Sequence, residues 1–155
     1  RRLVIDYTNT FIFLSNHQAK EANNCLVAVF SNKALKQHQY IYSGAMIVNL
    51  LTHFELGNYQ LLESLLLNTY RMMYKRKLLY SSEKIILKYL KKYLRIQNNH
   101  QIMQSFQTLK QELQAIRSKK FEQNFLPNFD LVVWIESKIK EKSMASIAQN
   151  KGLSL

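Results

Sequence analysis

Few residues in this 155-residue chain could do chemistry on their own. The four histidines, His17, His38, His53 and His100, are scattered, and none stands at metal-ligand spacing from another or from Cys25. His53 and Glu55 are two positions apart, which on a helix points them in different directions. Cys25 has no nearby histidine and lies beside Leu26 and Val29, so it reads as an inert core thiol. As the single cysteine it forbids an internal disulfide and fits a reducing compartment, and a cytoplasmic protein is expected. The chain carries no glycine-rich phosphate loop, no G-x-S-x-G elbow and no H-E-x-x-H. The expectation is a protein that is not an enzyme, with no cofactor, metal or small-molecule substrate.

Positive charge is the one chemical property present in quantity. Twenty-two Lys and Arg against ten Asp and Glu give a net charge of +12. Residues 61–120 hold thirteen of those basic residues and three of the acidic ones, whereas residues 121–155 balance to zero. Within that middle part, Arg71, Lys75, Arg76, Lys77, Lys84, Lys88, Lys91, Lys92 and Arg95 are accompanied by one acid, Glu83. At about 100° per residue, Lys84, Lys88, Lys91, Lys92 and Arg95 fall within roughly a 100° arc of a helix. Ile86, Leu87, Leu90, Tyr93 and Leu94 take the other side.

Such a face can dock an anion: an acidic protein segment, the phosphates of a nucleic acid, or a membrane surface. The plain alternative is a solvated helix face in a lysine-rich protein. For nucleic acid, the lysines and arginines would contact phosphate with salt-dependent affinity. Tyr70, Tyr74, Tyr80 and Tyr89 could stack on bases, although tyrosines at helical spacing more often belong to a core or its rim. No recognised nucleic-acid-binding signature is present. A membrane is disfavoured, since packing explains the apolar side of this helix better.

The elements that carry these residues read as helices. Three Gly and one Pro are few, and 47% hydrophobic with 21% charged residues is ordinary for a folded protein. No apolar run approaches the roughly 18 residues needed to span a bilayer. Leu3–Leu14 is β-branched and aromatic and could make a strand, but its length and lack of turn residues favour a helix. Helices follow over Ala19–Ser31, Tyr40–Leu56, Tyr59 to about Lys77, Ser81 or Ser82 to about Ile96, and Gln101 to about Lys119. Pro127 ends that run, and Asn128 or Asp130 can start a seventh helix to Lys142. Residues 143–155 have weak periodicity, read as a C-terminal tail that frays or is disordered. Trp134, next to Ile135, is expected to pack that last helix. The domain is expected over 1–142. The start at Arg1-Arg2-Leu3 reads as a piece of a larger protein.

The clearest stop and start is Phe54-Glu55-Leu56-Gly57-Asn58-Tyr59-Gln60. Gly57 suits the left-handed residue that ends a helix, and Asn58 can cap the next one. Breaks near 16 or 17, at 57 and near 98 stand about 41 residues apart, the mark of helix pairs stacked in series.

At Leu56-Gly57-Asn58-Tyr59 the chain resembles the tetratricopeptide repeat, whose two helices meet at a Gly-Asp/Asn-Tyr turn. Aligned on that turn, Met46, Asn49, Leu50 and His53 take the places of the family's Trp, Leu, Gly and aromatic. Leu62, Leu66 and Thr69 take those of its Ala, aromatic and Ala. The resemblance covers residues 43–76. Leu50 and Leu62 are larger than the family's residues and should hold the helices further apart. The spacing also exceeds the family's 34. The resemblance implies an all-α fold of about seven helices, with antiparallel hairpins in a right-handed solenoid closed by a C-terminal capping helix. It also implies a role in protein–protein interaction or scaffolding. The first helix of each pair would line a groove, which puts Ile47 and Leu51 on it, covered by a peptide-like partner or by another helix of the chain. The candidate partner-binding residues are therefore Ile47, Leu51, Arg71, Lys75, Arg76, Lys84, Lys88, Lys91, Lys92 and Arg95. The expected partner is another protein or an acidic peptide segment, with nucleic acid on the basic stretch 71–95 as the alternative.

Overall fold

The computed structural model describes residues 1–117 and 129–152. Among them are eight α-helices, one short 3-10 helix and no strand. The helices are α1 (Arg2–Ser15), α2 (Ala19–Ser31), α3 (Gln39–Glu55), α4 (Tyr59–Lys75), α5 (Ser81–Tyr93), α6 (Asn99–Arg117), α7 (Leu131–Lys140) and α8 (Met144–Asn150). The 3-10 helix Lys33–Gln37 joins α2 to α3. One domain over 1–142 was expected; the helices group into two compact units, Arg1–Leu78 and Leu79–Leu155.

The first unit is organised around α3, which packs on α1, α2 and α4. Its sequence is apolar on nearly every side, and Ala45, Ile47, Val48, Leu50, Leu51 and Phe54 are all buried. A helix hydrophobic all round has to be covered by neighbours rather than by water. α1 contributes Leu3, Tyr7, Phe11 and Leu14, and α2 contributes Ala22, Leu26 and Val29, each set at three- and four-residue steps. α4 buries only Leu62, Leu66, Thr69 and Met73, so most of its surface faces water.

The two hairpin turns of this unit are closed by backbone groups in the same way. After α1, His17 takes φ +58°; its N–H donates to the Leu14 carbonyl and the Gln18 N–H to the Phe13 carbonyl, at 3.1 and 2.9 Å. After α3, Gly57 takes φ +70°, with Gly57 N–H to Phe54 O at 3.1 Å and Asn58 N–H to His53 O at 3.0 Å. This pair of bonds satisfies carbonyls that a helix end otherwise leaves open. His17 and Gly57 stand 40 positions apart. Lys77 ends α4 likewise, at φ +57° with Leu78 N–H on the Met73 carbonyl at 2.9 Å.

In the second unit α5 packs on α6, α6 on α7 and α7 on α8. Tyr89 and Tyr93 of α5 meet Phe106 of α6, with ring centroids 5.5 and 6.4 Å apart. α7 is buried from Leu131 to Ser137, and Trp134 is part of that core as expected.

Several local expectations change. Asn58 makes no side-chain cap; its amide nitrogen lies 3.2 Å from His53 Nδ1 instead. Neither Ser81 nor Ser82 caps α5, whose N-cap is Tyr80; the Ser82 hydroxyl donates to Glu83 Oε2 at 2.9 Å. Asp130 caps α7 as anticipated, accepting from the Val132 and Val133 N–H groups at 3.0 and 3.1 Å. Asn128 and Pro127, like the expected end of the sixth helix at Lys119, lie outside the described residues. The stretch read as a tail holds α8, started by Ser143 and seated through buried Met144, Ile147 and Ala148. That spacing of three and four was its helix signal.

Candidate partner-binding faces

The cationic face is built by α5. Its apolar residues Ile86, Leu87 and Leu90 turn into the core, as does Tyr89. Helical periodicity then leaves Lys84, Lys88, Lys91 and Lys92 exposed, and Arg95 continues the exposed basic residues in the turn that follows. Among the described residues one ion pair involves them, Lys88 Nζ to Glu112 Oε1 at 3.4 Å. With those side chains 71% and 37% exposed, that pair adds little to stability.

The remaining predicted residues go to different places. Arg71 and Lys75 are exposed on α4. Arg76 is half-buried, with its guanidinium carbon 4.2 Å from the centre of the Tyr42 ring, so it is engaged within the first unit. The nine basic residues of 71–95 thus divide between the two units. Ile47 and Leu51 are 0% and 1% exposed, covered by the chain itself, and offer no surface. The four tyrosines also divide. Tyr89 is buried, whereas Tyr70, Tyr74 and Tyr80 are exposed. Tyr70 and Tyr74, one turn apart on α4, stack at 6.2 Å with their planes 15° apart.

Sequence periodicity did not reveal an open groove of about 490 Å³ along α6, bordered by Lys92 near the end of α5 and by Ile96. It is lined by Lys92, Gln101, Gln104, Gln107, Thr108 and Gln111, among others. α6 turns Phe106, Leu109 and Leu113 inward, which leaves its glutamines on the outside. Lys92 belongs both to this groove and to the cationic face.

A second missed feature is Glu136, 3% exposed on α7. Its Oε1 receives Lys110 Nζ of α6 and Lys151 Nζ at the end of α8, each at 2.7 Å. Burial works against the charged carboxylate, but the hydrogen bonds and positive charges of the two lysines together outweigh it and hold its pKa below the usual range. The two bonds tie three helices together. A lone glutamate after the apolar run Leu131–Ile135 gave no sign of this, since the partners are distant in sequence.

Burial shifts four other titratable groups. Burial, with Asp6 nearby, pushes the Cys25 thiol up and away from the reactive thiolate. Burial lowers the pKa of His53, and an amide donor from Asn58 suits its neutral ring. The Tyr7 and Tyr89 hydroxyls are buried, and burial raises both. No group of three or more metal-ligating side chains occurs among the described residues. No helix among them is long and apolar enough to cross a membrane. No family model, curated protein or solved structure matches the chain.

Proposed function

We propose that this chain is a non-enzymatic interaction module, made of tetratricopeptide-like helical hairpins stacked in series, which docks an acidic segment of a partner protein on the cationic face of α5. One observation carries the proposal: four exposed lysines follow one side of a helix whose other side is committed to the core, and Arg95 extends the set in the turn after it. Like charges held on a rigid face repel one another, and a carboxylate-rich segment relieves that repulsion at each contact. The serial arrangement is supported by the matching turns at His17 and Gly57 and by the packing of α1 on both α2 and α3. The partner is sought on the basic face because Ile47 and Leu51 are buried.

One observation favours nucleic acid as a second reading. The stacked pair Tyr70 and Tyr74 is exposed beside Arg71 and Lys75, and aromatic rings flanked by cations can hold unpaired bases. Binding of a peptide of alternating glutamate and serine, of single-stranded oligothymidine and of duplex DNA, at low and moderate salt, separates the two. The peptide should bind at low salt, weaken as salt rises, and be lost when Lys84, Lys88, Lys91 and Lys92 are all changed to Glu. Oligothymidine binding that is lost with Tyr70→Leu and Tyr74→Leu, together with no peptide binding, would replace the proposal with the second reading.

A further inference from the structure

The groove beside the cationic face has the composition of a surface that reads peptide backbone. Each glutamine side chain carries one acceptor and two donor hydrogens, so it can pair with both the N–H and the C=O that one residue of an extended chain turns to the same side. Gln104, Gln107 and Gln111 follow one another along α6 at steps of three and four, and all are exposed. Successive turns of a helix rise about 5.4 Å. An extended peptide repeats every two residues, over about 6.7 Å. The mismatch over two turns is about 2.6 Å, within reach of a long side chain with three rotatable bonds. The polar lining disfavours an apolar small molecule, since pockets for such ligands are mostly hydrophobic.

We infer that the α5–α6 groove binds its acidic segment in an extended conformation, with the glutamines of α6 hydrogen-bonding the segment's backbone while Lys92 and the lysines beside it take its carboxylates. The inference rests on the proposed function and specifies the site and the shape of the ligand. Charge complementarity selects the occupant: Lys92 opens the groove directly onto the face carrying Lys88, Lys91 and Arg95. The amide ladder selects its conformation, because a helical segment has its backbone groups already paired and could not use the glutamines. Charge provides attraction that salt screens, and the amides provide a component that salt affects less.

The test compares two probes of equal charge. One is the peptide of alternating glutamate and serine; the other carries an N-methyl group on every serine backbone nitrogen. Both are titrated into the whole chain and into the Gln104→Leu, Gln111→Leu variant. The unmethylated peptide should bind about tenfold more tightly, and the glutamine variant should lose roughly three- to tenfold for each lost amide contact. In that variant, which keeps Gln107, the advantage of the unmethylated peptide should shrink. Equal binding of the two peptides to the unaltered chain would overturn the backbone-reading groove and leave the acidic-partner proposal standing. No binding of either peptide at low salt would overturn both.

Discussion

In the first unit, none of the four α-helices has a side-chain hydrogen bond at its N-cap, and both hairpin turns are closed by backbone groups. In the second, α5 also lacks a side-chain cap, but Asn98, Asp130 and Ser143 each accept from a backbone N–H at the start of α6, α7 and α8. The first unit has the largely apolar α3 at its centre, whereas the second buries Glu136 beneath two half-buried lysines. The contrast teaches that the first unit relies on burial and backbone-closed turns, whereas the second adds side-chain caps and a buried charge to its own apolar core. They should therefore fail in different ways.

The largest expected effect breaks the first half of this comparison. Leu51→Ala removes a fully buried side chain from α3 and should cost about 3 kcal/mol, within the range for core leucines. Chemical denaturation of the chain measures it. A change under about 0.5 kcal/mol, typical of surface sites, would mean that Leu51 does not belong to the core.

Next comes Glu136→Ala. Removing one partner of a buried ion pair costs about 3–5 kcal/mol, but Lys110 and Lys151 are 29% and 34% exposed and can turn to water, so about 2 kcal/mol is expected. The pH dependence follows from the sign of the shift. The folded carboxyl titrates below its ordinary value, so its contribution is complete above about pH 4.5 and is lost as pH falls through the lowered folded value. Unfolding midpoints recorded from neutral to acid pH should fall more steeply below about 4.5 in the unaltered chain than in the variant.

Asp130→Ala should cost about 1 kcal/mol through loss of the cap on two N–H groups, read from the same unfolding curves. The turns give the smallest effects. A Cβ added at Gly57 would meet no atom within 4 Å, so Gly57→Ala should cost only the left-handed backbone penalty, about 1 kcal/mol. His17 already bears that penalty at φ +58°, so His17→Gly should stabilise the chain by a few tenths of a kcal/mol, after the greater freedom of glycine in the unfolded state is counted.

Much of the fold was legible because the chain has few competing signals. With three glycines and one proline, periodicity and polar breaks determine the helices, and their ends lie within a few residues of expectation. The turns at His17 and Lys77 were less legible in their geometry, since no glycine marks them and the left-handed residue is imposed by the helix end. α8 was passed over because seven residues give too few steps to establish a period. The lysines of α5 could be placed because a period of 3.6 separates them from Ile86, Leu87 and Leu90. The groove could not, because it needs Lys92 and Ile96 brought beside the glutamines of α6 by the fold. The resemblance placed Ile47 and Leu51 on one face of α3, but which helices cover that face depends on distant parts of the chain.

The most direct measurement of the central claim is residue-by-residue NMR mapping of the chain titrated with the peptide of alternating glutamate and serine. Amide and side-chain signals of Lys84–Arg95 and of Gln101–Gln111 should shift together and saturate together, with Ile47 and Leu51 unmoved. Shifts centred on Tyr70 and Tyr74, or an unchanged spectrum at low salt, would contradict the docking of an acidic segment on α5.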